Sequence, residues 1–159
     1  MALITLNKLA LPTGSIMQVV QGTKTDQFET TSTSLAAVTG LTAAITPSAT
    51  SSKILIMCST SAIHTATTSA GGETLIKFYK NHSSISVTAI GDEYQVAKSR
   101  QDSSYSQEVG GGGTAMYLDS PSTIEAITYS VYARITNGSN GRIGQAAHGS
   151  TITLLEVAG

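Results

Sequence analysis

The sequence predicts an all-β fold: a single-domain antiparallel β-sandwich, specifically a jelly roll. Three observations lead there. Ser and Thr make up 44 of the 159 residues, and 15 are Gly, which suits strands joined by turns. Several runs alternate apolar and polar residues with a period of two, and no helical period outlasts a turn. Forty per cent hydrophobic residues, arranged in those runs, separate the chain from a disordered Ser/Thr-rich stalk.

Taken in order, Met1–Gly14 stands apart. Leu3, Ile4, Leu6, Leu9 and Leu11 make it the most aliphatic short stretch, and Leu-Pro-Thr-Gly closes it as a turn. Residues 1–14 are read as a docking arm that packs on another polypeptide, with an extra edge strand on its own domain as the plainer alternative, and residues 15–159 as the sandwich domain. Ser15–Gly22 reads as the first strand, Phe28–Ser34 as a polar edge strand, and Leu41–Thr46 as a short strand ended by Pro47. Ile54–Ala62 begins apolar on both faces, which suits a strand covered on both sides. Its Leu55 and Met57, like Leu155 later, point opposite to the inward set. They are expected to lie under a second sheet or a neighbouring subunit, giving a homotrimer.

Thr74–Asn81 alternates again and turns at Asn81–Ser84 into Ile85–Gly91. From Asp92 to Gly113 no strand pattern is legible. This segment is expected to be a long loop ending in a flexible run of four glycines, and long loops tend to be functional. Its Asp92, Glu93, Tyr94, Arg100 and Tyr105 are the candidate receptor or partner contacts. Ala115–Ile135 is read as a central hairpin, with Asp119-Ser120-Pro121-Ser122 as its turn. Ile127, Tyr129, Val131, Ala133 and Ile135 form the apolar face of its second strand. Asn137–Gly141 is a turn, and Ser150–Val157 is the closing strand. That makes about eight to ten strands, as a sandwich requires.

Charge and chemistry narrow the function. A formal net charge of −1 offers no field for a phosphate backbone, so no nucleic-acid partner is expected. No apolar run is long enough for a membrane helix and no signal peptide is evident, so no membrane partner is expected either. Cys58, the single cysteine, sits in an apolar run and reads as a buried, inert thiol. His64, His82 and His148 lack metal-ligand spacing; neither a metal nor another cofactor is expected. If a metal did bind, Asp92, Glu93 or Asp119 would be the oxygen ligands. Gly110–Gly113 precede Thr114 without the Lys of a phosphate loop. No nucleophile–base pattern emerges, so no catalytic residues are assigned and the chain reads as non-enzymatic. The sequons at Asn81 and Asn137 are taken as chance.

One longer pattern remains. Gly14-Ser15, Gln18–Gln21, Lys24–Asp26, Phe28–Ser34, Val38–Leu41, Ile45–Ser48 and Ser51–Leu55 follow in an order that resembles a β-rich module of tailed-phage virion proteins. Tyr117–Pro121 and Ser150–Val157 extend the resemblance over nearly the whole chain beyond Gly14. The resemblance implies a virion component, assembled in the host cytoplasm, that is trimeric and non-enzymatic. A capsid decoration or cement protein bound to the major capsid protein is expected. The alternative is a tail-fibre or appendage tip, held by tail proteins, that binds a host surface glycan or protein.

Overall fold

The structure is a computed structural model that describes residues 11–66, 71–100, 107–137, 140–144 and 148–159. Ten strands are described: β1 (Ile16–Lys24), β2 (Phe28–Thr30), β3 (Ala36–Ile45), β4 (Lys53–Ala66), β5 (Gly72–His82), β6 (Ile85–Ser99), β7 (Gln107–Asp119), β8 (Ile127–Ile135), β9 (Asn140–Ile143) and β10 (Ser150–Val157). They form two antiparallel sheets.

In the first sheet β10 lies between β1 and β4, and β7 runs along the other edge of β4. The short β9 pairs with the far half of β4 and carries β2. The second sheet has the order β3-β8-β5-β6. The pairs β1·β10, β3·β8, β4·β7 and β5·β6 are nested along the chain. Eight strands paired in this nested way are a jelly roll, with β2 and β9 as small additions.

Alternation decides what is inside. Ile54, Ile56 and Cys58 of β4 and Ile152 and Leu154 of β10 face the second sheet and are fully buried. From the other side come Leu41, Ile76, Phe78, Ile127, Tyr129 and Val131. Ile127, Tyr129, Val131, Ala133 and Ile135 are all buried while the residues between them are half-exposed, as their period of two requires.

Two sequence readings are corrected. Ala115–Ile135 is not a hairpin. β7 belongs to the first sheet and β8 to the second, so residues 120–126 carry the chain from one sheet to the other. Pro121 and Ser122, the latter at φ 55°, break the ladder there. Period-two alternation states which face is buried but not which strand lies alongside, so the pairing was illegible.

The segment Asp92–Gly113 is not a loop where it is described. Asp92–Ser99 completes β6 and Gln107–Gly113 begins β7. Bulges between β5 and β6 shift the parity, so Val96 and Ala97 are both buried and the alternation is lost. The four glycines have no side chains to alternate, yet Gly110–Gly113 pair in register with Thr60–Ile63. A Cβ at Gly111 would lie 2.8 Å from the Val96 carbonyl oxygen, so a strand backbone passes where only glycine fits.

Smaller differences follow the same logic. β3 begins at Ala36 rather than Leu41, with an irregular pairing around Gly40, whose φ is 84°. The strand expected over Phe28–Ser34 is confined to Phe28–Thr30.

Candidate functional site

The outer faces of the two sheets differ in chemistry. On the first sheet, register aligns outward residues into rows that cross four strands. Val19, Leu155, Leu55 and Leu118 make one row, and Gln21, Thr153, Met57 and Met116 the next. Ile16 and Val157 flank the first row at the end of the sheet. Thr23, Thr151, Ser59 and Thr114 make the third row, so the face turns from aliphatic to hydroxylated along its length. Val19 is 59% exposed, Met116 54%, and Ile16 and Leu118 49% each, while Leu55, Met57 and Leu155 are half-buried among them. The second sheet covers only the opposite face, so it does not cover Leu55, Met57 or Leu155 as one reading had it.

The outer face of the second sheet is polar along β8 and β5, while β6 exposes Ile85 and Val87 at its start. Thr128, Ser130, Tyr132 and Arg134 of β8 lie beside Lys77 and Tyr79 of β5. Tyr79 and Tyr132 stack with ring centroids 3.9 Å apart. Arg134 holds Glu93 with Nη2 at 2.7 Å and Nε at 3.0 Å from Oε2.

The expected contact loop is therefore dispersed. Asp92, Glu93 and Tyr94 lie in β6, where Asp92 is exposed and Glu93 is engaged by Arg134. Tyr94 packs its ring 5.7 Å from that of Phe78, and its hydroxyl donates to the Met116 carbonyl at 2.7 Å. Burial, then the nearby charge of Asp92, raises the Tyr94 phenol above its usual range. Tyr94 is thus mainly a packing residue. Arg100 is exposed just past β6, and Tyr105 lies outside the described residues. In the arm, Leu3, Ile4, Leu6 and Leu9 also lie outside the described residues. Leu11 is half-buried. Beside it the Ser15 amide donates to Pro12, closing a turn. The Gly14 amide donates to Ala158, which ties the start of the domain to the end of β10.

The buried polar groups serve the fold. Lys80 donates to both Asp119 oxygens at 2.9 and 2.8 Å, and the Tyr129 hydroxyl donates to Oδ2 at 2.8 Å. Burial, then the Asp119 carboxylate, pushes the Tyr129 phenol far up. Glu156 is buried beneath the Ala49–Ser52 turn. Its Oε1 accepts from the Ser48 amide at 2.6 Å, the Ser48 hydroxyl at 2.5 Å and the Ser52 hydroxyl at 2.7 Å. Gln18 donates to its Oε2 at 2.6 Å. Burial works to raise this carboxyl, but the four donors outweigh it and hold it below the usual range. His64 is fully buried, with Nδ1 3.1 Å from the Thr74 hydroxyl, and burial lowers its pKa. Burial pushes the Cys58 thiol up to about 12.

One cluster has the residue types of a hydrolase. At the β5–β6 turn, Glu125 accepts from Ser83 at 2.5 Å and Ser84 at 2.9 Å and lies 2.8 Å from His82 Nδ1. Both hydroxyls address the carboxylate and neither addresses the imidazole, so no base is aligned with a nucleophile. Among the described residues, no group of three or more His, Cys, Asp or Glu is arranged to hold a metal ion. No helix among them is long and apolar enough to cross a membrane.

Neither a protein-family profile nor a curated protein sequence matches the chain. Solved structures of infectious bursal disease virus are similar at low level. For the Gx strain the identity is 16% and the TM-score 0.36, over 98% of this chain and 42% of that one. For the Gt strain the values are 12% and 0.32, over 100% and 43%. The chain spans less than half the length of those viral chains.

Proposed function

We propose that this protein is a non-enzymatic structural component of a phage virion, a homotrimeric capsid decoration protein seated on the major capsid protein. The observation that carries the reading is the aliphatic outer face of the first sheet. A contiguous exposed apolar surface of this kind marks a contact with another macromolecule. The polar β8 and β5 of the second sheet are suited to face water. The sequence resemblance to tailed-phage virion modules supplies the setting, and the aliphatic arm supplies a second contact. A protein that binds only the assembled lattice stabilises it by mass action, with no chemistry required. Neither nucleic acid nor membrane has a part in this reading.

The alternative is a tail-fibre or appendage tip that binds a host surface glycan or protein. The stacked, half-buried Tyr79 and Tyr132 favour it, since partly open aromatic rings suit sugar rings and protein contacts alike. Density maps of intact particles discriminate between the two. Many copies spread over the head establish decoration; a few copies confined to the tail establish the tip. Light scattering of the isolated protein at micromolar concentration is expected to give three chains, and a clean monomer overturns the trimer.

A further inference from the structure

The apolar part of the first sheet's outer face is confined to one end. Val19, Leu155, Leu55 and Leu118 lie there, with Ile16 and Val157 beside them, and the rows turn to Thr and Ser towards the other end. That same end is where the N-terminal arm leaves the domain. Gly14 and Ser15 are bonded to Ala158, one residue beyond Val157, and the Ser15 amide closes a turn with Pro12 beside them. The first described residues of the chain, Leu11–Ser15, therefore lie at the apolar end of that face.

Reach is sufficient. Residues 2–10 extended span about 30 Å, against about 14 Å across four strands at the usual spacing. The parity of the arm then selects the occupant. Laid extended, Leu3 and Leu9 fall on one side and Ile4 and Leu6 on the other. A single sheet face would bury only one of these sets. An arm with aliphatic residues at both parities needs two walls, which two copies side by side supply and a lone copy does not. Lys8 is the arm's single charge; on the face, the row of Val19, Leu155, Leu55 and Leu118 is wholly aliphatic, Gln21 and Thr153 bring polar groups into the next row, and Lys53, opposite Val157, is exposed at the apolar end.

We propose that the aliphatic half of the first sheet's outer face is the seat for residues 2–10 of a neighbouring copy of this chain. The inference rests on the homo-oligomeric reading above and specifies the contact that makes the oligomer.

Two full-length variants, each with one added cysteine, test it. One carries Leu6→Cys in the arm, with Leu3→Cys and Leu9→Cys as register alternatives. The other carries Met116→Cys on the face. Native Cys58 is buried and stays silent. The two variants are mixed, assembled and oxidised. A disulfide-linked pair containing one of each is the expected product. A double variant that instead links only within one chain shows the arm on its own domain and overturns the proposal. A second variant, Leu118→Asp, places a charge at an already exposed site and should keep β-type circular dichroism while light scattering falls to one chain. If it remains oligomeric and no mixed disulfide forms, this seat is wrong although the oligomeric reading stands. If the unaltered protein is itself a monomer, both fail together.

Discussion

Glu156 is the residue on which a whole corner depends. Its carboxylate gathers donors from Gln18, Ser48 and Ser52, which ties β1 and the Pro47–Ser52 turn to β10. Its folded pKa lies below its unfolded value near 4.3, so its contribution is present above that value and is lost as the pH falls through the folded pKa. Glu156→Gln should therefore cost about 1.5–3 kcal/mol at pH 7, the range for hydrogen bonds to a charged group. The cost should shrink towards pH 3. Urea midpoints at the two pH values check this, and an equal loss at both would contradict it. Cys58 gives a second residue-scale expectation. With its thiol buried and its pKa near 12, it should resist a thiol reagent at pH 8 until the protein is unfolded.

At the scale of elements, the glycine run of β7 makes a contrast. Gly111→Val would set a Cβ against the Val96 carbonyl, and such overpacking typically costs about 1–3 kcal/mol. Gly110 has open space at the same point, so Gly110→Thr should be neutral or stabilising by up to about 1 kcal/mol, since Thr favours extended backbone more than Gly does. Thermal melts of the two variants should move apart, and equal shifts would show that the close approach to β6 is unimportant. This element also marks the limit of what the sequence disclosed. β8 and β10 were legible because each strand's buried residues all share one parity. β6 was not, because its bulges bring neighbours such as Val96 and Ala97 to the same side. β7 was half-legible, since Ala115, Tyr117 and Asp119 alternate while its glycines carry no signal. For the contact surface, Leu55, Met57 and Leu155 could be singled out as facing away from the core. Val19, Met116 and Leu118 joined them only once register placed them in the same rows.

For the whole molecule, the nested pairing leaves no single stretch able to form a core, and stability is shared across both sheets. Chelator treatment should leave the melting temperature unchanged, because every buried charge named above is balanced by side chains or backbone. A drop of several degrees would point to an oxygen-ligated cation instead. The same nesting has a consequence for how the molecule is made. β10 lies between β1 and β4, with Lys24 opposite Ser150 and Ile16 opposite Val157. At about 5–20 residues per second, β1 emerges from a ribosome on the order of ten seconds before its partner exists. During that interval β1 and one edge of β4 have open hydrogen-bonding groups. Pairing across so long a stretch of chain is intrinsically slow. Chains stopped short of Ser150 should therefore accumulate as aggregates, and yield on expression should depend more on translation speed and temperature than on the stability of the finished fold.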